Sequence, residues 1–357
     1  MTNKELFREM LKQRRLNMGA GNRKKTKKYK AKHQWLYPYQ YERKYAKEIS
    51  LLQKQFTKPL TIAIGANINR WIATYNKDNT DSWDNNFPAA WPQSFIIHSD
   101  KMWLDSYKTG IPVPDATVES RDDVFGLELR ELIKAEQARL DKIYGDVGGP
   151  QVRAMITDIG GDVSAWNLKQ LGKFTKDILG VEFFVTEPWE VEVIEAWSET
   201  NFELIKSLSQ EYIKTVNTLV SEGVQFGKTA NEIMAGIRAT NKQIEGWRSR
   251  LIARDQVGKL NGALTKRRST DAGIDMYIWM TANDERVRSK HKTLNNKVCK
   301  WGNSSVYSDD KGKTWKKRSG DMFIGIPGQD IQCRCTSQPY FDDMIAEIDD
   351  EIKEEAA

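Results

Sequence analysis

The chain has 357 residues, 39% of them hydrophobic, with 55 Lys and Arg against 49 Asp and Glu for a net charge of +6. That length suffices for two domains or for one domain with extensions, and the lack of any run of about 20 apolar residues excludes a transmembrane helix. The three cysteines are an odd number and the opening MTNKELFREMLKQRRLNMG has no apolar signal-peptide centre, so export and a disulfide framework are not expected.

The charge is unevenly spread. Residues 1–60 carry 17 Lys and Arg against 4 Glu, whereas residues 341–357 carry 8 Asp and Glu against one Lys. The expectation is a near-neutral body between a basic, aromatic-rich arm (1–47) and an acidic tail (341–357). Within the arm, Arg23, Lys24, Lys25, Lys27, Lys28, Lys30 and Lys32 cluster after Gly19 and Gly21, which break a helix begun at Lys4. Such a segment reads as a solvated arm that can also contact phosphate, because clustered cations release counterions on binding. Trp35, Tyr37, Tyr39, Tyr41 and Tyr45 follow it. They suit base stacking or docking of the arm on a protein surface.

Residues 48–150 read as an N-terminal helical region with a long loop. Two helical pieces are expected across 48–75, separated by Pro59, and the second carries Leu60, Ile64, Ile68, Trp71 and Ile72 at helical spacing. From Asn76 to Asp115 the composition, rich in Asn, Asp, Pro and Trp, predicts a loop. A helix over 120–144 starts at a capping box formed by Ser120 and Asp123, and GDVGGP stops it.

Residues 151–272 read as a helical body. Gly160–Gly161 is expected to be a flexible spot before a helix over 164–179, and VEFFVTEPW to be a short β-like run. A long helix over 189–222 ends at Gly223. Another starts at the Thr229/Glu232 capping box, and a third covers 243–268 with Trp247, Leu251, Ile252, Val257 and Leu260 on its inner side.

The pattern changes after Ile274. MYIWMT alternates like a strand, DDKG between Val306/Tyr307 and Trp315 predicts a hairpin, and IQCRCTSQPYF reads as another strand. The fold class is therefore α+β: a mainly helical body with a small C-terminal α+β unit at 273–340.

That unit holds all three cysteines, Cys299, Cys333 and Cys335, and one of the three histidines, His291. One imidazole and three thiols are an allowed ligand set for tetrahedral zinc. No Cys-x-x-Cys knuckle is present, but residues two apart on a strand share a face, so Cys333 and Cys335 can meet one metal. The alternatives are that the cysteines are small buried apolar groups, or that a thiol pairs with His291 for catalysis. If this segment turns into a helix at Asn283 or Asp284, Asp284 caps it and Arg288 and His291 share a face; the charges Asp284, Glu285, Arg286 and Arg288 read either as a cap with surface salt bridges or as a charged platform pairing with Arg334 or with another subunit. No Gly-rich phosphate loop and no Ser-His-Asp set is present.

RSRLIARDQVGKLNG (248–262), GIDMYIWMTANDERVRSKH (273–291) and PGQDIQCRC (327–335), in this order, resemble the minor head, or head morphogenesis, proteins of tailed bacteriophages, a family similar to the F protein of phage Mu. The motif falls on Arg254, Asp255, Gln256, Trp279, Asp284, Arg286, Arg288, His291, Cys333, Arg334 and Cys335. Asn295–Asn296 stand where the family commonly has glycine, 300–320 is longer than usual, and 1–170 shows no match. The resemblance implies a structural virion component, present in few copies inside the head and in the host cytoplasm during assembly. Its implied partners are the portal, the major capsid protein and packaged double-stranded DNA, with no membrane and no assigned catalytic residue. The competing reading is a nuclease or toxin-like enzyme centred on His291.

Overall fold

A computed structural model of the chain describes residues 1–18, 35–86, 124–181 and 186–356. The chain divides into two compact units. One is Met1–Leu51, Gly148–Ile205 and Glu245–Ala357; the other is Leu52–Val147 and Lys206–Ile244. In order, the helices are α1 (Asn3–Asn17), α2 (Tyr39–Asn86), α3 (Val124–Tyr144), α4 (Gly149–Leu179), α5 (Glu190–Gln225), α6 (Ala230–Lys242) and α7 (Ser249–Asp271). Then come β1 (Met276–Met280), α8 (Ser289–Lys292), β2 (Val298–Lys300), β3 (Val306–Tyr307), β4 (Lys316–Lys317), β5 (Thr336–Tyr340) and α9 (Asp342–Glu355). The α+β expectation is borne out. No helix among the described residues is long and apolar enough to cross a membrane.

Within the Leu52–Val147/Lys206–Ile244 unit, Pro59 does not separate two helices. It lies inside α2. A proline there leaves the carbonyl four residues earlier without its amide donor. That carbonyl is Gln55 O, and the Arg139 guanidinium of α3 donates to it. Arg139 also pairs with the buried Glu136 at 2.9 Å and lies over the Phe56 ring. The same helix continues to Asn86, where a loop from Asn76 was expected. Trp71 packs on Phe125 and donates to Glu128 at 2.7 Å. Helix α5 passes Gly223 and closes two residues later. There Gly227, at φ +69°, lets the Lys228 amide reach Gly223 O at 2.8 Å. The Thr229/Glu232 capping box forms as expected.

The other unit contains the sheet. Gly160 and Gly161 are not a break but part of α4. A Cβ at Gly160 would stand 3.0 Å from Ile194 and 3.2 Å from Trp197, so the missing side chain lets α5 approach closely. A π-helical turn over Gln243–Arg248 precedes α7 and shifts its phase, which leaves Trp247 57% exposed rather than inward. Trp35 meets Phe174 edge-on and Tyr37 donates to Arg254 O at 3.0 Å. These aromatics thus dock on protein. The residues from Arg23 to Lys32, the Ser120/Asp123 box and most of VEFFVTEPW lie outside the described residues.

The acidic tail is helix α9. Its Met344, Ile345, Ile348 and Ile352 are buried in one cluster with Phe7 and Leu11 of α1. Arg8 reaches Glu347 at 2.8 Å, and Arg15 pairs with Asp349. Arg268 of α7 is fully buried. It donates to Glu187 at 2.7 and 2.6 Å, to Ser164 O and to Asn167. A buried guanidinium is tolerable only when its donors are used in this way.

Strands β2, β1 and β5 form one antiparallel sheet in that order, with Trp279 opposite Ser337 and Tyr277 opposite Cys299. Strands β3 and β4 form the expected hairpin.

Candidate functional site: a histidine between two thiols

The site begins with alternation along β1. Tyr277 and Trp279 point to one face and are fully buried with Leu294, Trp301 and the three cysteines. Trp279 and Phe323 wall the His291 ring, at 5.6 and 4.8 Å between centroids. The chain leaves β1 through a turn at Asn283, φ +53°, and returns on the short helix α8, which carries His291 inward. Asp284 does not cap that helix; Arg288 occupies the cap position. Asp284 instead binds Arg334 at 2.7 Å and Arg286 at 3.1 Å. Donation from Arg334, then from Arg286, holds the Asp284 carboxyl below its ordinary value. Asn296, at φ +61°, takes the left-handed backbone that glycine would supply, and asparagine tolerates it.

Cys333 and Cys335 precede β5 rather than lying on it, because Gln332 turns the chain at φ +55°. Both thiols still face one ring nitrogen. Cys333 Sγ lies 3.5 Å and Cys335 Sγ 3.4 Å from His291 Nδ1. The ligand atoms of His291, Cys333 and Cys335 are all within 4.8 Å of one another, and all three residues are buried. Cys299 lies outside this group. Its sulfur contacts Lys297 O at 3.9 Å, and burial pushes its thiol up. The four-ligand set expected from composition is thus three residues. Donation from the Cys335 thiol, and next from His291 and the Gly328 amide, holds the Cys333 thiol down. Its partnership with Cys333, together with burial, pushes Cys335 up.

The other face of the imidazole meets a carboxylate. His291 Nε2 lies 3.2 Å from Asp330 Oδ2, off the line of a full hydrogen bond. Arg288 holds Asp330 at 3.0 Å and donates to Ile331 O at 2.8 Å. Asp330 was not singled out from the sequence, although it sits inside PGQDIQCRC. Only the fold brings it under His291.

Helix α7 anchors the loop. Asp255 accepts the Gln332 amide at 2.9 Å and binds Lys259 at 2.7 Å. Arg254 pairs with Glu42 at 3.1 Å, while Gln256 O accepts from Trp197 at 3.0 Å. Gly258 and Gly262 give α7 a bare stripe. A Cβ at Gly258 would come within 2.8 Å of Cys333 O, and one at Gly262 within 2.5 Å of Pro327 O. Their spacing of four residues was a readable signal, since glycines one helical turn apart mark a close approach. Arg318 was also missed. It is buried and donates to Phe323 O and Gly325 O at 2.9 and 2.8 Å, which holds the wall beside His291.

The motif residues are therefore one mechanical unit: Arg254, Asp255 and Gln256 on the supporting helix, Trp279 in the sheet, and Asp284, Arg288, His291, Cys333, Arg334 and Cys335 around the loop. Residues 214–338 match the family model described as Phage Mu protein F like protein. An uncharacterized protein of Haemophilus influenzae is 29% identical over 181 residues, which are 50% of this chain and 37% of that protein. An uncharacterized protein of Methanocaldococcus jannaschii is 29% identical over 98 residues, 28% of this chain and 15% of that protein. The chain thus spans well under half the length of these curated relatives. No solved structure matches. Over residues 214–338 the chain is similar to the Phage Mu protein F like family, the phage family that its motifs resemble.

Proposed function

We propose that the protein is a minor structural component of a tailed-bacteriophage head, acting in head morphogenesis on the portal or the inner capsid face. The observation that carries this reading is the family match, which covers the whole His291–Cys335 assembly with its supporting helix. The contacts within that assembly fit a rigid docking module. The ring is walled by aromatics, both ring nitrogens face protein groups, and the loop is pinned to α7. His291 is only 2% exposed, so no second reading as a nuclease is favoured.

The basic cluster Arg23–Lys32 suits contact with packaged DNA inside the head. Co-expression with the portal protein tests the docking role. The expected result is a complex that survives size-exclusion chromatography; separate elution from both portal and capsid protein would contradict it. DNA affinity should fall steeply with salt and drop when residues 19–34 are deleted. Unchanged affinity at low salt after that deletion would remove DNA from the proposal.

A further inference from the structure

We infer that His291, Cys333 and Cys335 form a zinc site, with His291 Nδ1 and two thiolates as the protein ligands and one solvent ligand completing four. Four observations converge on it. First, the donors are the nitrogen and sulfur types that zinc prefers, and they come from segments 42 and 44 residues apart in sequence. Chance packing of thiols has no reason to aim two sulfurs at the same nitrogen. Second, that nitrogen is the vertex of the group, at 3.5 and 3.4 Å from the two sulfurs, so a small contraction around an ion brings all three atoms to bonding distance.

Third, the opposite ring nitrogen faces a carboxylate that is itself held by Arg288. A metal-bound histidine commonly donates its second N–H to such a group, which fixes the tautomer that frees the first nitrogen for the metal. Here His291 Nε2 is buried and near Asp330 without a full hydrogen bond, a geometry that slight rotation of the ring toward an ion would complete. Fourth, charge balances. Two buried thiolates would be costly alone, but with a dication and a neutral imidazole the centre is neutral.

Binding is an exchange without redox change. Two S–H protons leave to solvent and two Zn–S bonds and one Zn–N bond form. The gain is mechanical. The loop from Gly325 to Cys335 has little regular structure and three residues at positive φ, Gly325, Gly328 and Gln332. The cluster around it is small. An ion that joins α8 to this loop supplies folding free energy that such a core lacks.

The test uses the full chain without a metal-binding tag, kept reduced and dialysed against metal-free buffer. Elemental analysis should find one zinc per chain, and X-ray absorption should find two sulfurs at about 2.3 Å with two nitrogen or oxygen neighbours. Cys333→Ser and Cys335→Ser should lose the zinc, while Cys299→Ser keeps it. Asp330→Asn should weaken zinc affinity about 10–100-fold. A folded, reduced wild type without zinc would overturn the proposal. So would copper in its place, absorption showing only oxygen and nitrogen neighbours, or full zinc retention in both Cys333→Ser and Cys335→Ser. The absorption measurement needs no variant, so it decides even if the serine variants fail to fold.

Discussion

The helical unit of Leu52–Val147 and Lys206–Ile244 and the sheet region around His291 each accommodate an awkward backbone, in different ways. In the first, Pro59 sits in the middle of a long helix, and one side chain from another helix, Arg139, takes up the stranded Gln55 carbonyl. In the second, a loop with little regular structure is held by many partners at once: Asp255 on the Gln332 amide, two bare glycines of α7 under its backbone, and His291 between its thiols. A local defect is repaired by a single donor. A whole loop needs a framework, so damage to the framework should spread further than damage to the helix.

The largest effect should come from the base of that framework. Arg268→Leu strands the buried Glu187 carboxylate and unties α7 from α4, costing about 3–5 kcal/mol of stability. Denaturant unfolding measures the loss, and alkylation of Cys333 and Cys335 should accelerate with it. A stable variant with unreactive thiols would mean that α7 does not support the loop. Next, Gly262→Ala drives a methyl to within 2.5 Å of Pro327 O. Overpacking of this kind costs about 1–3 kcal/mol, and the same alkylation assay should register it at Cys333 and Cys335 before global unfolding. In the helical unit, Arg139→Ala should cost about 1–3 kcal/mol, because it leaves the Gln55 carbonyl without that donor and Glu136 without its cation. Thiol alkylation rates should not change with it. If they rise as much as in Gly262→Ala, the contrast between a local repair and a framework fails.

Much of this architecture is legible in the residues. Stripes of apolar side chains give the helices, the Thr229/Glu232 pair gives a helix start, and alternation in MYIWM gives β1, because burial on one face forces those periods. The misreadings have a common origin. Pro59 and Gly160 look like interruptions to a local reading, yet each is resolved by a residue distant in sequence, Arg139 in one case and Trp197 in the other. The site behaves likewise. Clustering of Cys and His pointed to the right segment, but composition alone could not separate Cys299, opposite Tyr277 in the sheet, from the two thiols that face His291. Asp330 is one acidic residue among 49 in the sequence, and only its position under His291 distinguishes it.

The smallest effect expected is on pH dependence. The Asp284 carboxyl is held below its unfolded value by Arg334 and Arg286. Its contribution is therefore present above the unfolded carboxylate range and is lost as pH falls through the lower, folded value. Because this carboxylate is partly exposed, solvent screens the effect. Asp284→Asn should slightly flatten the loss of stability below about pH 4. An identical acid profile would show that the Arg334 pairing carries no stability.

The proposal on which most depends is that the chain acts within the phage head. Quantitative mass spectrometry of filled particles, washed and treated with nuclease and protease to strip the outside, tests it most directly. The intact chain is expected inside these particles at a few copies each, below the capsid protein and comparable to the portal. Particles of the same phage that are filled, infectious and free of the chain would contradict it.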